Sequence, residues 1–246
     1  MSGAALCQDA PVGRRRTSAR SFGLRRIIFK MLIIALVFQA VYLVLLRYLN
    51  PPLTLTQLCA LIETKRLERD DIPLSDIPND VRLAVLSAED QRFASHNGFD
   101  WGEIQTAFRQ NAQHRSPLRG ASTISQQVAK NVFLWQRRGW IRKGLEAYFT
   151  VLLELVMDKR RILELYLNIA ETGPGIFGIE AAARHYFGKS AHSLTSREAA
   201  LIAACLPNPE RYRANRPSPH IRAKAAWILE QMQLLRSYPA VQGLLY

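Results

Sequence analysis

The chain has 246 residues, 48% of them hydrophobic, which permits one ordinary domain with additional elements. Thirty-three Lys and Arg against twenty Asp and Glu give a net charge of +13. The first thirty residues contribute +6 of this and the remainder +7, with no nucleic-acid-binding motif anywhere, so a nucleic-acid partner is excluded and attraction to anionic lipid head groups or to a diphosphate is favoured. Three cysteines (Cys7, Cys59 and Cys205) form neither a disulfide framework nor a metal-ligand spacing.

Residues 1–26 are rich in Arg, Ser and Gly without apolar rhythm and read as a disordered basic tail. Met31 to Leu46 is uncharged, and with Ile27 to Phe29 the run reaches about 20 apolar residues, enough to cross a bilayer. Residues 27–49 are therefore expected to be one transmembrane helix. Seven basic residues precede it, from Arg14 to Lys30, against Asp9 alone, whereas only Arg47, Lys65 and Arg66 fall in the next twenty positions. This bias places the N-terminus in the cytoplasm and the remainder outside. Tyr48-Leu49-Asn50-Pro51-Pro52 reads as an exit from the membrane rather than a cleavage site. Residues 50–80, with Pro51, Pro52, Pro73 and Pro78, form a connector.

From Val81 onward the pattern is nearly all helical, so the domain over 81–246 is expected to be mainly α. Val81 to Ala88 is a strongly apolar helix ending at Glu89. Asp100 to Glu103 resembles a capping arrangement for the next helix. Ser122 or Thr123 suits the N-cap of a helix to Leu134, and further helices are expected over about 140–157 and around Ile162 to Leu167. Thr195-Ser196-Arg197-Glu198 is a capping box for a helix stopped by Pro207 and Pro209, and Ser218 caps the last. Gly173, Gly175 and Gly178 lie in a loop that lacks the order of a nucleotide-binding loop.

Two segments carry the chemistry. In AEDQRFASHNG, from Ala88, Glu89 ends an apolar helix, where partial desolvation raises a carboxyl pKa and makes it a better base. An ordinary surface acid is the alternative. Asp90 reads as its solvated neighbour, and His96 as a core or capping histidine more readily than a second catalyst. In GASTISQQVAKN, from Gly120, small residues allow close backbone approach at a helix start, and Ser122, Thr123, Gln126 and Gln127 offer polar partners. Lys130, Asn131, Arg138, Arg142 and Lys143 then form a concentrated polar and cationic tract of the kind that grips a diphosphate. Glu146 shares helical spacing with Arg142 and Lys143, which suits either a structural ion pair or a ligand for a divalent metal bridging phosphates.

Together with RKGLE from Arg142, RILELYLN and the glycine loop to Lys189, and LTSREAALIAACLPNP from Leu194, these form five ordered blocks between about Asp80 and Arg216. They resemble the peptidoglycan glycosyltransferases, glycosyltransferase family 51, and most closely its monofunctional members. The resemblance implies a lysozyme-like, two-lobed, mainly α domain with a membrane-dipping face. It implies polymerisation of lipid II into glycan strands at the bacterial inner membrane, with the catalytic domain in the periplasm and release of undecaprenyl diphosphate. It makes Glu89 the base for the acceptor's 4-hydroxyl and Glu146 a helper at the diphosphate, directly or through a metal. Lys130 and Arg138 become phosphate-gripping residues, Gln127, Asn131, Arg142 and Lys143 supporting ones, and Lys159 a matching basic position. A divalent cation, magnesium or manganese, is compatible with this chemistry but not required. Lipid II, the growing strand and the bilayer are the expected partners, alongside cell-wall synthesis or division proteins. Ser125 stands where threonine is frequent, Arg160 and Arg161 make the fourth block more basic than usual, and no transpeptidase domain is expected. The competing readings are a lysozyme-like murein lytic enzyme and a non-catalytic envelope scaffold.

Overall fold

The apolar run near the N-terminus forms helix α1 (Ser18–Leu46) in a computed structural model that describes residues 18–112, 121–137 and 139–246. The helix starts inside the stretch expected to be a disordered tail and stops three residues short of 49. Residues 18–26 hold no proline, and one glycine does not break a helix that a long apolar run propagates. Arg25–Leu46 is long and apolar enough to cross a membrane. Among the described residues, those up to Val44 form one compact unit and those from Leu45 onward the other.

In the second unit the connector is structured. Its prolines sit at the two ends and leave the middle free to fold. Helix α2 (Leu55–Thr64) starts at a capping box of Thr54 and Gln57, followed by strand β1 (Glu68–Arg69) and a 3-10 turn at Leu74–Asp76. Then come α3 (Asn79–Glu89), α4 (Trp101–Ala112), α5 (Ile124–Phe133), α6 (Trp140–Val156) and α7 (Lys159–Ile169). Strands β2 (Glu171–Gly173) and β3 (Ile176–Phe177) precede α8 (Ile179–Phe187), α9 (Ser196–Cys205), α10 (Pro219–Arg236) and α11 (Pro239–Leu245).

The expected caps form. Thr123 and Thr195 each close a capping box, Ser218 accepts from Ile221 N, and Asp100 Oδ1 accepts from Glu103 N at 3.0 Å. The glycine loop is a hairpin rather than an irregular segment. β3 pairs antiparallel with β2 and parallel with β1, Glu68 opposite Ile176. Gly175 has φ +70°, and a Cβ there would lie 2.6 Å from the Arg66 carbonyl oxygen, so this close approach of β1 requires glycine.

Two groups of helices divide the packing: α3, α9 and α10 on one side, and α5, α6 and α7 on the other. Fully buried Leu83, Phe93, Ile124, Leu153, Ile162 and Leu163 fill their interiors. Cys205 is part of this core. Asn168, also fully buried, exchanges hydrogen bonds with Ile72 N and O at 3.0 and 2.9 Å and ties the connector to α7.

Arg82, 4% exposed, has no acidic partner among the described residues; instead its guanidinium donates to the carbonyls of Ile77 (2.9 Å), Leu245 (2.8 Å), Leu244 (3.2 Å) and Leu74. It therefore joins the start of α3 to the end of α11. Arg82→Met leaves these carbonyls without donors, and a loss of roughly 3 kcal/mol is expected in denaturant unfolding of the full chain. An unchanged midpoint would show that the carbonyls find other partners.

Candidate active site

Glu89 is the last residue of α3 and lies where the two helical groups meet. Gln127 on α5 donates from Nε2 to Glu89 Oε2 at 2.7 Å. The buried Tyr166 hydroxyl, on α7, donates to Gln127 Oε1 at 3.3 Å, which fixes the amide's orientation. Burial pushes the Glu89 carboxyl above the ordinary glutamate value. The Gln127 hydrogen bond, then Lys224 and Lys130, pull it partly back. A carboxyl that is desolvated, oriented and still reachable from a cleft is suited to accept a proton.

Asp90 departs from the expectation of a solvated neighbour. It is 7% exposed and accepts from His96 Nε2 and from Ile124 N, the latter at 3.0 Å. Its carboxylate thus caps the start of α5, and an acid so engaged stays in the interior. His96 is a buried member of this pair, in line with the structural alternative. Thr123 donates from Oγ1 to the Gly98 carbonyl at 2.7 Å while accepting from Gln126 N. Its hydroxyl is spent on the cap, so the expected role of Thr123 as a ligand contact is withdrawn. Ser122, the residue before it, is exposed and faces the cleft.

The cationic tract converges on that cleft. A cavity of about 490 Å³ is lined by Glu89, Ser122, Gln127, Lys130, Arg142, Lys143 and Glu146. Lys130 stands one turn beyond Gln127 on α5, and burial lowers its pKa while Glu146 and Glu89 oppose that shift. Among the described residues no carboxylate lies within ion-pair distance of Lys130. Arg142 Nη1 donates to Glu146 Oε2 at 2.7 Å, and Lys143 pairs with Glu146 Oε1. Glu146, 3% exposed, therefore has both oxygens engaged by cations. No group of three His, Cys, Asp or Glu suited to a metal occurs among the described residues.

Asn131 lines a second cavity of about 460 Å³ that shares Gln127, Lys130 and Arg142 with the first, and its side chain and carbonyl lie within hydrogen-bonding reach of the Thr56 hydroxyl. Lys159 is not in the cleft. Its Nζ pairs with Glu154 Oε1 at 2.7 Å and sits 4.4 Å from the Phe93 ring centroid, so it braces the loop beneath Glu89. A lysine with a local acid and an aromatic face is held there. Arg138 lies outside the described residues. Tyr166 and Lys224 belong to the site electrostatics without having been singled out; Tyr166 sits in a run that reads as core, and Lys224 carries no local motif.

A desolvated acid facing fixed cations across a cleft is an arrangement suited to acid–base group transfer. Comparison with known proteins gives the chemistry. Residues 56–233 match the Transglycosylase family model. The chain is 52% identical over 207 residues to the biosynthetic peptidoglycan transglycosylase of Aeromonas hydrophila, covering 82% of this chain and 88% of that protein. Its identity to the protein of the same description from Shewanella oneidensis is 49% over 212 residues (83% and 89%), and from Mannheimia succiniciproducens 56% over 170 residues (69% of each). The chain belongs to the transglycosylase family and is a peptidoglycan glycosyltransferase with a mainly α, lysozyme-like domain.

With Glu89 as the base, which works ionised, activity is expected to rise with pH through a value above the ordinary glutamate range. Gln127 stabilises the ionised form, and Gln127→Ala is expected to move this acidic limb of kcat/KM to higher pH. A limb that stays in place, or moves down, would separate Gln127 from the base.

Proposed function

We propose that this enzyme polymerises lipid II, with Glu89 as the general base and the Lys130 face of the cleft holding the donor's diphosphate. The observation that carries this is the arrangement on α5: Gln127 orients Glu89, and Lys130, one turn further on, lines the same cavity as Glu89. In the first step a 4-hydroxyl of the acceptor sugar gives its proton to Glu89 as its oxygen attacks the donor's anomeric carbon. The bond to the lipid diphosphate breaks on the opposite face, with inversion. Undecaprenyl diphosphate departs with the electron pair, and Lys130, Arg142 and Arg138 stabilise its charge, so no strong acid is needed at the leaving oxygen. Lys143 and Glu146 set the position of Arg142. Ser122 and Asn131 line the path along which the sugars lie. A divalent cation at Glu146 would compete with Arg142 and Lys143 for its oxygens, and the proposed step runs through the fixed cations alone. The apolar segment Arg25–Leu46 anchors the chain in the inner membrane, with the basic N-terminus cytoplasmic and the catalytic domain periplasmic.

The test is full-length protein supplied with lipid II alone. The parent is expected to produce growing glycan strands. Glu89→Gln should lose at least about a hundredfold in turnover with its unfolding transition retained, the usual scale for a positioned base. Lys130→Ala should raise KM for the lipid-borne donor by about tenfold or more, the scale of one charge-assisted contact. Wild-type turnover in Glu89→Gln, or cleavage of finished murein without strand growth, would overturn the proposal.

A further inference from the structure

Helix α2 has the reverse polarity of a surface helix in a water-soluble domain, which turns its apolar side inward. The inward side of α2 is polar. Thr56 and Gln57 are buried there with Ala60. The Thr56 hydroxyl lies 3.3 Å from the Asn131 carbonyl oxygen on α5 and accepts from Gln136 Nε2, while Gln57 Oε1 accepts from Arg69 Nη1 at 3.1 Å. The outward side is apolar. Leu55, Leu58, Leu61 and Ile62 are exposed, Ile62 by 70%. At about 100° per residue these four fall on one arc of the helix, opposite Thr56 and Ala60. No charged residue occurs from Leu53 to Ile62. A contiguous apolar face of this kind marks a contact with another apolar phase.

The course of the chain indicates which phase that is. The segment Arg25–Leu46 is long and apolar enough to cross a bilayer, and α2 begins nine residues after its end. Nine residues reach no further than about 30 Å. The exit from that segment is fixed to the same compact unit that contains α2: Arg161 Nε donates to the Leu46 carbonyl at 2.9 Å, and Arg47 Nη1 to the Val156 carbonyl at 3.1 Å. Between the exit and α2, Tyr48, Leu49 and Leu53 are exposed as well, so the apolar surface continues along the chain. Tyrosine at such an exit suits the boundary between head groups and acyl chains. A helix with one polar and one apolar face, close behind a membrane segment, gains most by lying in that boundary.

We propose that α2 is an interfacial helix, a second membrane contact besides the spanning segment. Leu55, Leu58, Leu61 and Ile62 rest in the bilayer surface, and on the opposite side Thr56 lines the cavity of about 460 Å³ that also holds Lys130 and Arg142. Lipid and cavity are then separated there by the thickness of one helix, about 10 Å. For a substrate carried on a membrane lipid, α2 sets the height to which the head group rises to reach the cations.

The test is electron paramagnetic resonance of full-length protein in nanodiscs of phosphatidylcholine with phosphatidylglycerol. In a background of Cys7→Ser and Cys59→Ala, with the buried Cys205 left in place, a nitroxide is attached through Leu58→Cys or Ile62→Cys, and through Arg197→Cys on α9 as a reference. All three positions are exposed, so labelling leaves the interior unchanged, and the two on α2 give separate readings should one variant fail to fold. Collisions with oxygen, which concentrates in lipid, are compared with collisions with a water-soluble nickel chelate. The Leu58→Cys and Ile62→Cys labels are expected to show an oxygen-to-nickel ratio roughly fivefold or more above that of the Arg197→Cys label, the result of immersion by about 5–10 Å. A ratio equal to the reference would place α2 in water and overturn the proposal. Protection from both reagents would overturn it too, because protein (a second copy or another chain) would then cover the face.

Discussion

The carboxylate of Glu89, at the end of α3 and half-buried, meets α5 through one amide hydrogen bond, and its charge is further offset by cations that do not touch it. Much of the site follows from this arrangement. A directly paired acid would have a depressed pKa and would be a poor base; an acid with no compensation would be too costly to ionise. Gln127 and Lys130 supply intermediate compensation because they are one turn apart on a single helix and so share a face. The direction of α5 is in turn set at its first turn. Asp90 holds Ile124 N, Thr123 closes its box with Gln126 and reaches back to Gly98. The polar residues around Glu89 that do not face the cleft therefore aim the helix that does.

The cations present the opposite problem. Lys130, Arg142 and Lys143 crowd one wall, and the other two disfavour the charge on Lys130. Glu146, buried between Arg142 and Lys143, offsets part of that repulsion and holds both side chains in place before any anion arrives. Lys130 is left outside this arrangement, with its charge available to a ligand. A preorganised set of this kind does not have to be assembled as negative charge develops on a leaving diphosphate.

Much of this was legible in the sequence where the signal is local. The apolar run, the capping boxes at Thr123 and Thr195 and the spacing of Gln127 and Lys130 each depend on residues within a turn or two. Signals that depend on distant partners were not. Asp90 looked solvated because its partner Ile124 N is 34 residues away, and Lys159 looked available because Phe93 is 66 residues away. Thr123 carried two compatible roles, and only the occupied hydroxyl separates cap from ligand contact. The order of the connector was hidden by its flanking prolines, and the hairpin at Gly175 by strands two and three residues long.

The most direct measurement is a carbon-detected NMR titration of Glu89 in the full chain, with glutamate carboxyls labelled and Glu89→Gln used for assignment. The expected result is a midpoint above the ordinary glutamate range that moves further up in Lys130→Met, because that variant removes a cation which favours the ionised form. An ordinary midpoint, indifferent to Lys130, would contradict the coupling of base and phosphate-binding wall on which the mechanism rests.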